Sequence, residues 1–136
     1  MATASRLLGK LYAENEIIYR QGDSGDSMYI VQLGHVEIVQ RKGTNEYCLA
    51  VLNEGDFFGD MALFGYPVRT ATARAASGGA SVLTLEKKAF MKRLHYDPSL
   101  ALNMLKRMAD RIHHLEQALV QYGEVQASLV KDPTAE

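Results

Sequence analysis

The chain has 136 residues, 47% hydrophobic and 23% charged, with a formal net charge of −1 at pH 7. That length suits one packed domain, the charge excludes a global basic field for nucleic acid, and no apolar run approaches the ~20 residues of a membrane span. A lone cysteine, Cys48, excludes an internal disulfide framework and fits a reducing compartment. The first residues lack the apolar core of a signal peptide, so a cytoplasmic location is expected.

Residues 1–15 read as a polar lead-in, with Leu7, Leu8 and Leu11 set for one helical turn. Short β-branched and aromatic runs follow at Ile17-Ile18-Tyr19, Met28–Leu33, Val36–Val39 and Tyr47–Leu52. Turn residues separate them at Gly22–Asp26, Gly34, Lys42–Asn45 and Asn53–Asp56. Residues 70–76 and Ser81–Leu85 supply two more runs around a turn at Ser77-Gly78-Gly79. The count is about eight strands over residues 16–86, which predicts a jelly-roll-like barrel. The fold class expected is mainly β with flanking helices: an eight-stranded jelly-roll-like barrel (a double-stranded β-helix), a short cassette helix and a long C-terminal helix.

One stretch interrupts the strands. In Phe57-Phe58-Gly59-Asp60-Met61-Ala62-Leu63-Phe64, a glycine and a carboxylate open a short apolar turn, and Arg69 follows the carboxylate by nine residues within a run of small side chains. Glycine lets backbone approach a ligand. Helix-start amides favour an anion, and the guanidinium fork matches phosphate oxygens. A carboxylate accepts hydrogen bonds from a sugar hydroxyl. The stretch therefore reads as a pocket for a phosphorylated sugar. Asp60 has a plainer role open to it, as the N-cap of the turn.

After residue 86 the period becomes helical. Glu86–Leu94 predicts a small helix, and Asp97-Pro98 predicts a cap and first turn for a long helix over about 99–122. Leu105, Met108, Ile112, Leu115, Leu119 and Tyr122 alternate steps of three and four, a seam of roughly two and a half heptads. Gly123 is expected to weaken or end the helix, leaving 123–136 as a flexible tail. A parallel helix pair across a twofold axis is the sharper reading of the seam, and burial against the barrel the plainer one. No catalytic constellation is visible. His35 and Glu37 share one strand face, but no matching His/Glu group follows and no metal site is expected. Cys48 is expected at a buried strand position.

The run Ile18–Gly34, with glycines at 22, 25 and 34, followed by Phe58-Gly59-Asp60-Met61-Ala62-Leu63 and Arg69-Thr70-Ala71, resembles a cyclic nucleotide-binding domain. Such sensor domains occur in bacterial Crp/Fnr-type regulators, in regulatory subunits of cyclic-AMP-dependent kinase and in cyclic-nucleotide-gated channels. The resemblance covers roughly residues 8–122. It implies a ligand, cyclic AMP or cyclic GMP, held at Phe58, Gly59, Asp60, Met61, Ala62, Arg69, Thr70 and Ala71, with Arg69 on the phosphate and Asp60 on the ribose hydroxyl. Asp60 departs from the family glutamate by one methylene. A threonine at position 70 is compatible with either nucleotide. Base contacts would fall to Arg111 and Leu115 on the long helix.

The reading is a stand-alone, non-enzymatic sensor without a cofactor that signals occupancy through a homodimeric C-terminal helix to an effector protein. The alternatives are the sensor portion of a Crp/Fnr-type regulator lacking its DNA-binding domain, and a ligand-free dimerisation scaffold. After Tyr122 there is no second helical pair and no basic patch, so direct DNA binding by this chain is not expected.

Overall fold

A computed structural model describes residues 9–130. Leu7, Leu8 and the segment 131–136 lie outside the described residues. The chain forms two compact units, divided between Met91 and Lys92.

The first unit is an antiparallel sheet of six strands: β1 Lys10–Tyr12, β2 Ile17–Tyr19, β3 Ser27–Lys42, β4 Asn45–Leu52, β5 Phe57–Phe58 and β6 Thr72–Glu86. Its path runs β1-β6-β3-β4, with β2 added to β6 and β5 to β3. The mainly β, jelly-roll class holds, and the strand count differs from the eight expected. Gly34 and the pair Gly78-Gly79 do not end strands. They are bulges within two long ones. Between Gly34↔Ala80 and Val36↔Ala75, β6 spends five residues where β3 spends two, and pairing resumes beyond. Gly34 sits at φ 78°, and a Cβ there would lie 2.3 Å from the Gly79 carbonyl oxygen. Only glycine lets the two backbones pass so closely. Leu11 lies on β1, an exposed strand residue rather than part of a helical turn, because Lys10–Tyr12 pairs with Ala80–Val82.

The core follows the strand alternation. Ala73 and Ala75 on β6 are buried opposite Ile38 and Val36 on β3, while Arg74 between them points to the other face. Val31, Val82, Ala80, Phe58 and Tyr12 complete the cluster. Each fully buried valine contributes about 1.5–3 kcal/mol relative to exposure. Arg74 closes the far face through Glu37 at 3.0 Å and Glu46 at 3.1 Å. Cys48 is exposed, against the buried position expected. It lies on β4, the strand at the end of the sheet path, whose other side carries no further strand among the described residues.

The helix α1 spans Lys87–Tyr96 and α2 spans Pro98–Val130. Asp97 caps α2 as expected: its carboxylate accepts from the Ser99 amide at 3.2 Å and from the Ser99 hydroxyl. The expected stop at Gly123 is not observed, and α2 continues through Gly123 to Val130, so 123–130 is helix rather than tail. A single interior glycine costs about 1 kcal/mol against alanine. Gln121, Glu124, Gln126 and Ala127 around it are strong helix formers, which offset that cost. No helix among the described residues is long and apolar enough to cross a membrane.

Candidate functional site

The turn that follows β5 is built for close approach. Gly59 adopts a left-handed conformation, φ 72° and ψ 11°, and occupies the N-cap position of a 3-10 turn over Asp60–Phe64. Asp60 is thus the first residue of the turn and not its cap, and the cap position makes no side-chain hydrogen bond. The turn is anchored from below, where Phe64 meets Phe90 of α1 edge-on at 6.3 Å between centroids. Phe58 and Ala71 are buried, Ala62 is half-buried, and Met61 and Thr70 are exposed.

Arg69 reaches the turn from the far side, and its backbone is pinned by the first glycine motif. The Gly22 amide donates to the Arg69 carbonyl at 2.7 Å, the Arg69 amide donates to the Asp23 carbonyl at 2.7 Å, and the Gly25 amide donates to the Pro67 carbonyl at 2.9 Å. A β-bridge between Ser24 and Val68 lies within the same ladder. The two sequence motifs are therefore one structural piece: the glycine turn is the splint for the arginine.

The side chain then folds inward and is only 6% exposed. Its Nη1 donates to the Gly59 carbonyl at 2.9 Å and its Nη2 to the Ser27 carbonyl at 2.8 Å. The Tyr19 ring lies under the guanidinium at 4.3 Å from centroid to Cζ, and the Tyr29 ring at 5.7 Å. Burial pushes the Tyr29 phenol above its ordinary value, and the positive charge of Arg69 pulls it partly back. Asp60 is 2% exposed. A buried charged fork at the turn whose first residue is a buried carboxylate suits a ligand that is anionic at one end and hydroxylated next to it.

The residues brought together are thus Phe58, Gly59 and Arg69, with Asp60 next in the turn. Sequence reasoning missed Tyr19, Ser27 and Tyr29. Ser27 acts through its carbonyl, which leaves no mark on residue type, and both tyrosines read as ordinary strand formers. A cavity of about 530 Å³ in the sheet unit lies elsewhere: Arg20, Gln21, Arg41, Glu46, Thr72 and Arg74 line it, with no cassette residue. His35 bonds Asn53 at 2.9 Å and Glu37 bonds Arg74, so the pair noted on β3 belongs to two separate networks.

In the helical unit, Leu105, Ile112, Leu115, Leu119 and Tyr122 are all exposed and lie at heptad spacing along α2, with Met108 half-buried among them. Leu129 extends the seam one heptad past Tyr122. The position between them is Gln126, whose amide donates to the Tyr122 hydroxyl at 2.7 Å. Arg111 and Leu115, the residues assigned to the base, are exposed on the same helix.

A family model described as "Cyclic nucleotide-binding domain" matches residues 10–97. The cGMP-dependent protein kinase egl-4 of Caenorhabditis briggsae is 41% identical over 83 residues, 60% of this chain and 11% of that protein. The cyclic AMP receptor protein of Thermus thermophilus is 30% identical over 118 residues, 85% of this chain and 54% of that protein. The chain therefore spans about a tenth of the first relative and about half of the second. The crystal structure of the Thermus thermophilus catabolite activator protein superposes with a TM-score of 0.76 at 28% identity, covering 90% of this chain and 57% of that one. The matched span contains the whole splint-and-arginine piece, from Tyr19 to Ala71, and the chain belongs to the cyclic nucleotide-binding domain family.

Proposed function

We propose that the chain is a ligand-sensing module that binds cyclic AMP or cyclic GMP at Phe58–Ala62 and Arg69–Ala71. The observation that supports this most is the placement of Arg69: a buried guanidinium, fixed at its backbone by the glycine turn, presented at the Gly59 turn. In this reading Arg69 takes the exocyclic phosphate oxygens, helped by the backbone of Gly59, Met61, Ala62 and Thr70. Asp60 accepts from the ribose 2′-hydroxyl. Arg111 and Leu115 carry the base-side role. No residue performs a chemical step, and binding itself is the event, acting through differential affinity for two states of the protein.

The output is proposed to run through α2. Its heptad face suits a second copy of the same helix in parallel, giving a homodimer whose pairing changes with occupancy and is felt by an effector protein in the cytoplasm. Titration calorimetry with cyclic AMP and with cyclic GMP, beside an Arg69→Ala control, tests the binding claim. Heat with at least one nucleotide at micromolar concentration, lost in the control, is expected. Silence with both at high micromolar concentration would overturn it in favour of a ligand-free scaffold.

A further inference from the structure

We propose that Tyr19, with Tyr29 behind it, is a positioning residue for Arg69: the two rings set the plane of the guanidinium before any ligand arrives. The inference rests on the cyclic nucleotide reading above for what the arginine is positioned to do, and on geometry alone for the positioning itself. A guanidinium held only by in-plane hydrogen bonds remains free to roll about them. In this site the Gly59 and Ser27 carbonyls supply the in-plane bonds, at 2.9 and 2.8 Å. The Tyr19 ring, 4.3 Å away, supplies a face for the group to lie on, and the Tyr29 ring at 5.7 Å flanks it. The attraction is that of a cation for the negative face of an aromatic ring, and it strengthens where water is excluded, as around a side chain this buried.

The rings are themselves fixed. Tyr29 stacks on Phe58 with centroids 5.2 Å apart and planes 17° apart, and Tyr19 packs on both, at 5.6 and 6.0 Å. Three strands, β2, β3 and β5, therefore contribute one ring each to a single platform, and one of the rings is the first residue of the cassette. The remaining sides are shaped to the same placement. A Cβ at Gly25 would lie 2.5 Å from Arg69 Nη2, and one at Gly59 would lie 2.9 Å from Nη1. An arginine locked this way loses little further rotamer freedom when an anion binds, which is the general source of affinity from preorganisation.

The ring and the hydroxyl of Tyr19 can be separated. Tyr19→Phe keeps the aromatic face and Tyr19→Leu removes it while keeping apolar bulk. Two readouts are needed. The first is the Arg69 Nε–Hε signal in the NMR spectrum of the ligand-free chain, which a ring face beneath the guanidinium moves upfield. The second is nucleotide affinity by calorimetry. Expected are an upfield Hε in the wild type and in Tyr19→Phe, its return toward the ordinary position in Tyr19→Leu, affinity within about twofold for Phe, and affinity about tenfold weaker for Leu. Tyr29→Leu shifts both readouts in the same direction by less, because its ring is farther away. An Arg69 signal that ignores Tyr19→Leu overturns the proposal, as does wild-type affinity in a folded Tyr19→Leu. If the wild type binds neither nucleotide, the reading of the pocket fails, and the NMR arm alone still decides the positioning role.

Discussion

The sheet unit and α2 leave their working groups in opposite conditions. In the sheet, the most demanding group, a buried guanidinium, has its backbone, its edges and its faces provided for by Gly22, Asp23, Gly59, Ser27, Tyr19 and Tyr29. Along α2 the opposite holds: Leu115 is 57% and Leu119 68% exposed, on a face of regular heptad spacing. A polar site can be completed within the unit because carbonyls and rings are at hand. An apolar stripe on a single helix has nothing equivalent of its own, and water is a poor partner for it. The difference is between a group satisfied within its own unit and a stripe that is exposed along its helix.

Arg69→Ala breaks the first half of this comparison most severely. It deletes the proposed phosphate ligand, and nucleotide affinity is expected to fall ~100-fold or more, the range seen when one partner of a buried charged contact is truncated. It also strands the Gly59 and Ser27 carbonyls, at about 1–3 kcal/mol each if water does not reach them. Calorimetry and thermal melts on the same sample separate the two effects. The second half of the comparison breaks with the double change Ile112→Asp, Leu119→Asp. If α2 pairs with a second copy, sedimentation is expected to show a dimer for the wild type and a monomer for the variant, with nucleotide affinity of the sheet unit changed far less than by Arg69→Ala. A wild type that sediments as a monomer would overturn the dimer reading of the stripe.

The class of the fold was legible because short β-branched runs and glycine turns have local causes. The strand count was not, because Gly34 and Gly78-Gly79 carry the same residue type whether they end a strand or bulge it. Only the register across β3 and β6 distinguishes the two. The cassette was legible from Gly59, Asp60 and Arg69, whose chemistry is in their side chains or in the lack of one. The splint was half legible: Gly22 and Gly25 were seen as a motif, but their target is 44 residues further on, at Arg69 for Gly25, and no local signal links them. Ser27 and the two tyrosines were invisible as site residues for the same reason. The exposure of Cys48 was not legible, because β propensity says nothing about which strand lies at the end of the sheet.

Gly25→Ala sharpens the splint. Its Cβ would sit 2.5 Å from Arg69 Nη2, so the guanidinium must move. Crowding of this kind costs about 1–3 kcal/mol, and affinity should weaken about two- to tenfold if half of that cost falls on the ligand-ready placement. Surface glycines such as Gly43, with nothing near a would-be Cβ, make the contrast. A smaller effect appears at high pH. Burial raises the Tyr29 phenol, and burial followed by the charge of Glu16 raises that of Tyr12. The unfolded chain releases these protons near pH 10 while the native state holds them longer, so this stabilisation is whole below pH 10 and declines as pH rises through the folded values. Urea melts should show an alkaline loss of stability that is shallower in Tyr29→Phe.

The gentlest test concerns Gly123, where α2 passes the residue expected to stop it. The helical backbone there is ordinary, and a Cβ would meet nothing within 4 Å. Alanine removes backbone freedom from the unfolded chain without adding a contact to the folded one. Gly123→Ala should therefore raise helix stability by about 0.5–1 kcal/mol and leave nucleotide affinity unchanged, seen as greater ellipticity at 222 nm on heating. If the 124–130 segment is helical only through pairing with a second copy, the gain in ellipticity will depend on protein concentration. A gain that is independent of concentration shows that the sequence around Gly123 carries the helix by itself.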